Sequence, residues 1–155
     1  MPVKIAEMLN PSAIVAELKS TGKKDVLAEL TEALINANPE LSRDEVIRVL
    51  LERENLGSTG IGDGVAIPHG KLRNIEHQLI AFGLSRKGVD FDAMDGKPAR
   101  LFFLLIAPED SVGIHLKTLA RISKLLKASH ARDRLQAAGD RQQIYNIIAE
   151  EEENL

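Results

Sequence analysis

LFFLLIA, residues 101–107, is the longest unbroken apolar run in the chain, and its reading decides the fold. A membrane-spanning helix needs about 20 such residues, so this run is far too short to cross a bilayer. Its length is that of a strand, and a strand that is apolar at every position has to be covered on both faces. It is therefore read as the central strand of a sheet with helices above and below.

Working outward toward the N-terminus, Leu79 to Leu84 and Val65 to Ile67 read as further strands. Ala13 to Ala16 reads as a first strand, after a short N-terminal turn and the break at Asn10-Pro11. Between them, Val26, Leu27, Leu30, Leu34 and Ile35 recur at helical spacing until Asn38-Pro39 stops them. Ser42 and Glu45 form a capping-box pattern, and the helix they open carries Val46, Ile47, Leu50 and Leu51 before Gly57. Beyond the central run, Leu116, Leu119, Ile122, Leu125 and Leu126 define a helix, and Arg132 to Ala138 a shorter one. Asp140 and Gln143 cap a last helix with Ile144, Ile147 and Ile148. Its tail, Glu150 to Glu153, reads as a solvated, frayed end because negative charge opposes the C-terminal dipole. Helices on either side of a strand-rich middle predict one α/β (α+β) domain over residues 1–155: three layers, α/β/α, with a mixed sheet.

Composition narrows the function. The 155 residues are 44% hydrophobic and 28% charged, enough apolar material for one core. Four Phe, one Tyr and no Trp leave little for stacking on bases, and a formal charge of -3 lacks the basic face of a nucleic-acid binder. Without cysteine there is neither a disulfide nor a thiolate metal site. The segment MPVKIAEMLNPS has no signal-peptide core, so a cytoplasmic protein without direct membrane insertion is expected.

The densest punctuation is RENLGSTGIGDGVAIPHG, residues 53–70. Its glycines do not make a nucleotide loop: Gly60, Gly62 and Gly64 give GxGxG, the loop precedes a strand, and Gly70-Lys71 is followed by Leu72 where a P-loop needs Ser or Thr. His69 stands between a proline that fixes the backbone and a glycine without a side chain, which would present its imidazole openly at a strand end. His115 falls at the expected start of a helix, where the dipole favours a neutral imidazole and a nearby anion. Arg53 ends the helix ahead of the glycine loop and offsets its dipole. By spacing alone a surface or cap role is the favoured reading of His69, a solvent- or carbonyl-bonded helix-start residue that of His115, and Arg53 is explained as a C-terminal cation. His77 and His130 read as surface residues. No close ligand pair suggests a metal, and the GxSxG elbow is absent.

RENLGSTGIGDGVAIPHGKL resembles the phosphoacceptor signature of the mannitol/fructose-type enzyme IIA family of the bacterial phosphoenolpyruvate-dependent phosphotransferase system. FDAMDGKPARLFFLLIAPED and HLKTLARISKLL continue the resemblance through residues 91–126. Within the family, IAEMLNPSAIV and VDFDAMDGKP look most like the nitrogen-related branch. Ala99-Arg100 departs from a more usual aliphatic-acidic pair and is expected to alter a strand edge rather than chemistry.

The resemblance implies a phosphoacceptor role for His69 through Nε2, with His115 and Arg53 stabilising the phosphoryl group and loop amides around Gly60 to Gly64 adding donors. It implies an HPr-like phosphocarrier as donor and no cofactor or metal. As a regulator, the chain would act on a transporter, sensor kinase or enzyme in nitrogen, carbon or potassium homeostasis. Two alternatives are a free-standing sugar-type enzyme IIA serving an enzyme IIB, and an interaction module whose transfer activity is vestigial.

Overall fold

The computed structural model describes residues 4–155. In chain order it contains α1 (Ile5–Met8), β1 (Leu9–Val15), α2 (Lys23–Ala37), α3 (Arg43–Asn55), β2 (Gly60–Gly62), β3 (Val65–Ala66) and β4 (His69–Leu72). There follow β5 (Leu79–Val89), β6 (Ala99–Pro108), α4 (Val112–Lys127), α5 (Ser129–Ala137) and α6 (Arg141–Glu153). The apolar run lies in β6, every residue of which is buried except the half-buried Arg100. β6 pairs antiparallel with β5 and parallel with both β3 and β4, and the path of the mixed sheet runs β1-β5-β6-β3-β2.

Helices fall into two groups, α2 with α3 and α4 through α6 in succession, and β1 is packed by α2 from one group and α6 from the other. The expected α/β/α layering is thus observed. With no Trp, the core is aliphatic around edge-to-face phenylalanine pairs, Phe82 with Phe103 at 4.8 Å and Phe91 with Phe102 at 5.4 Å. Truncating one such ring to alanine costs about 3–5 kcal/mol.

Several boundaries differ from the sequence reading. The N-terminal turn is α1, and residues 1–3 of that stretch lie outside the described residues. Asn10-Pro11 does not precede β1 but lies inside it. The Asn10 Oδ1 accepts from the Ser12 N–H at 2.9 Å, and the register slips between the Leu9–Ile80 and Ile14–Phe82 pairs. An edge strand tolerates such a proline because one side of its ladder is free. Ser42 and Asp140 cap α3 and α6 as expected, accepting from Glu45 and Gln143. Ala99 and Arg100 open β6, well along the strand from Leu105, which pairs with His69.

The glutamate tail is not frayed solvent-facing helix. Glu152 is 2% exposed and accepts from the Ile5 and Ala6 N–H groups, at 2.5 and 3.1 Å, and from Arg121. Those amides open α1 and have no partner within it, so the carboxylate satisfies them. Glu151 is bonded by Arg134 and His130, and the Arg134 contact, more than any other, holds its carboxyl below the usual range. Long-range cations outweigh the unfavourable dipole.

Candidate functional site

The site begins with a proline that divides a strand. β3 and β4 pair with one stretch of β6, Ala66 with Phe102 and His69 with Leu105, so they would form one strand if Ile67-Pro68 did not interrupt them. Pro68 has no N–H to give to a ladder. The Ile67 carbonyl accepts instead from the His69 ring, with Nδ1 at 2.8 Å. His69 therefore opens its own strand, β4, rather than ending the preceding one. Its Nδ1 carries the proton, and Nε2 keeps a lone pair.

Arg53, in the last turn of α3, reaches that lone pair. Its Nε–H donates to His69 Nε2 at 3.2 Å and its Nη1 to the Gly57 carbonyl at 2.9 Å. It bonds a loop carbonyl just past the helix C-cap and addresses the histidine at once. The next residue, Glu54, is buried and ties down the glycine loop, accepting from the Thr59 N–H at 3.1 Å, from the Thr59 hydroxyl, and from Lys23 at 2.9 Å. Sequence reading passed over Glu54, although an acidic residue beside a helix end and ahead of a Ser-Thr-Gly loop is placed to bond loop donors.

His115 comes from the opposite helix group. It lies within the first turn of α4 rather than at its very start, with its N–H bonded to the Ser111 carbonyl at 3.0 Å. The residue is 4% exposed, its ring centroid is 5.4 Å from that of His69, and its Nδ1 has no protein partner among the described residues. Burial, assisted by the charges of His69 and Lys71, lowers its pKa to about 4. His69 is also lowered, chiefly by burial and further by Arg53, against the opposing bond to the Ile67 carbonyl. Both imidazoles are neutral near pH 7, as a nitrogen nucleophile requires.

The three residues meet in a cavity of about 390 Å³ whose wall also contains Leu56, Lys71, Leu116 and Leu119. Three larger hollows, of about 760, 600 and 440 Å³, contain neither His69 nor His115, so volume does not single out the site. Convergence of perturbed titratable groups does. The loop amides of Gly60 to Gly64 do not line this cavity. The Gly60 N–H goes to Ser58 Oγ at 2.9 Å and the Asp63 N–H to Asp95 Oδ2 at 3.0 Å, while Gly60–Gly62 forms β2. Those two amides are thus engaged within the loop and not at the histidine cavity. Lys71 is a cavity residue that sequence reading used only to dismiss a P-loop. Its spacing of two from His69 would have revealed a shared strand face, had β4 been recognised.

Residues 7–151 match the family described as "Phosphoenolpyruvate-dependent sugar phosphotransferase system, EIIA 2". The chain is 43% identical over 145 residues to the nitrogen regulatory protein of Bradyrhizobium diazoefficiens, covering 94% of each. It is 38% identical over 146 residues to the fructose-specific EIIABC component of Bacillus subtilis, covering 94% of this chain and 23% of that longer protein. The crystal structure of the nitrogen regulatory protein IIA-Ntr from Neisseria meningitidis superposes with a TM-score of 0.86 at 35% identity, over 93% of this chain and 98% of that one. A match that starts within α1 and ends within α6 leaves no strand of the sheet outside it, and the chain belongs to the EIIA 2 family, whose members are phosphotransferase components.

Proposed function

We propose that this chain is a cytoplasmic regulatory phosphocarrier: His69 Nε2 accepts a phosphoryl group from an HPr-like carrier, and partner proteins respond to its phosphorylation state. Residues 1–155 act as one enzyme IIA type-2 domain in this reading. The observation that carries it is the His69 Nδ1 bond to the Ile67 carbonyl, which aims a neutral Nε2 lone pair at a cavity holding Arg53 and His115.

The step needs an in-line nucleophile and stabilised charge, and no other covalent chemistry. The Nε2–P bond forms as the N–P bond of the carrier's phosphohistidine breaks, and the leaving nitrogen keeps its electron pair. Arg53 turns its N–H from Nε2 to the phosphoryl oxygens as the group arrives, and His115 donates from the far side. Leu56 (85% exposed) and Leu116 (60%) offer apolar surface at the cavity for a carrier to dock. Such a docking is transient, burying under about 1,200 Å². No helix among the described residues is long and apolar enough to cross a membrane. Regulated partners would be a transporter, sensor kinase or enzyme in nitrogen, carbon or potassium homeostasis.

Phosphoenolpyruvate, an enzyme I homologue and an HPr-like carrier should place one acid-labile, base-stable phosphoryl group on the chain. At least one partner should then bind the two forms with affinities differing by about 5- to 150-fold. The similarity to a fructose-specific EIIABC component favours one second reading, a free-standing donor to an enzyme IIB. Rapid onward transfer to a sugar-specific enzyme IIB, with no partner telling the two forms apart, would select that reading instead.

A further inference from the structure

We propose that Lys71 is a further catalytic residue of this site, the mobile cation that takes the oxygens of the phosphoryl group on His69. The inference rests on His69 being the acceptor. β4 alternates its side chains, so His69 and Lys71 share one face. Gly70 faces the other way, against α3, where an added Cβ would lie 3.0 Å from Val49 Cγ2. Lys71 borders both the histidine cavity and the polar hollow of about 760 Å³ beside it.

The other cations of that hollow are already engaged. Arg48 pairs with Glu52 at 2.7 Å and Arg73 with Glu109 at 3.1 Å, while no carboxylate pairs with Lys71 among the described residues. Arg53 is partly committed too, with Nη1 on the Gly57 carbonyl. His115 is neutral and supplies at most one N–H. A phosphoryl group brings about -1.5 to -2 charges, more than one arginine and one neutral imidazole offset. An ammonium on a flexible four-carbon stem can follow the group as it moves between nitrogens. The positive charge of Lys71 is already felt by both rings, each of which it helps keep neutral. Lys71 keeps its proton throughout and forms no bond.

Phosphoramidate, a small phosphoryl donor that needs no docking surface, separates this role from carrier recognition. Labelling of His69 would be followed by ³¹P NMR and peptide mapping in the full chain, for Lys71→Gln, Lys71→Arg and His69→Ala beside the parent. Lys71→Gln should label about 10- to 100-fold more slowly, the range for losing one charged hydrogen bond, and Lys71→Arg should recover most of the rate. The His69 pKa, read by NMR titration, should rise in Lys71→Gln and stay near the parent value in Lys71→Arg, which keeps the positive charge. Parent-like labelling of Lys71→Gln at His69 overturns the proposal and leaves the acceptor intact. Slowing with the protein carrier alone makes Lys71 a docking contact and overturns it equally. Undiminished labelling of His69→Ala overturns the acceptor assignment, and the role of Lys71 with it.

Discussion

His69 and His115 face one cavity from opposite sides and are prepared differently. His69 stands half-buried on β4, its Nδ1 fixed by the Ile67 carbonyl and its Nε2 lone pair marked by Arg53. His115 hangs from α4, 4% exposed, with a pKa of about 4 and Nδ1 enclosed without a protein partner among the described residues. The strand fixes tautomer and direction, which a nucleophile needs. The helix supplies enclosure, which keeps the second ring neutral and leaves its tautomer free. An enclosed, unbonded ring nitrogen costs about 1–3 kcal/mol, and natural proteins keep such costs at functional sites.

That contrast can be broken most sharply at His69. His69→Ala should abolish phosphoryl acceptance, leaving no labelled peptide by mass spectrometry, whereas His115→Ala should still bind the donor. In rapid-quench kinetics His115→Ala should accept about 10²- to 10³-fold more slowly, because a donor to developing charge is lost while the nucleophile stays. An unchanged rate would return His115 to a packing role.

Arg53→Gln comes next, with a loss of about 10-fold or more in acceptance rate. NMR titration should also find the His69 pKa raised in that variant. Burial remains its largest depressing influence, but the guanidinium charge is gone.

The burial of His115 predicts a smaller, pH-dependent effect. Its folded pKa lies below its ordinary 6.5, so below that pH the unfolded chain binds the extra proton. Stability attributable to His115 is therefore whole above 6.5 and falls as pH drops toward about 4. Urea midpoints measured across this window should decline less steeply for His115→Gln than for the parent. Equal slopes would mean that the ring is not held neutral by the fold.

The smallest change tests how β4 is seated. Gly70→Ala puts a methyl 3.0 Å from Val49 Cγ2 and pushes on the helix that carries Arg53. A cost of about 1–3 kcal/mol in denaturant unfolding is expected, and Val49→Ala in the same chain should recover part of it.

The layers were legible because LFFLLIA could only be a doubly covered strand and because Ser42 and Asp140 are unambiguous caps. β4 was not. HGKL has no apolar alternation, and its strand character comes from pairing with β6, a long-range event. Missing β4 hid Lys71. Glu151 and Glu152 were misread for the same reason, since their partners Arg134, Arg121 and the α1 amides are distant in sequence. His69, His115 and Arg53 were singled out by a family pattern, and the fold brings all three together.

In the proposed reading the proline-split strand aims Nε2 of His69, and no other nitrogen, at the incoming phosphoryl group. This is tested most directly by ¹⁵N NMR of the phosphorylated chain carrying ¹⁵N-labelled histidine, with ³¹P coupling to locate the bond. Phosphorus is expected on His69 Nε2, with a proton retained on Nδ1 toward the Ile67 carbonyl and no phosphorus on His115. Phosphorus on His69 Nδ1, or on either nitrogen of His115, would contradict it.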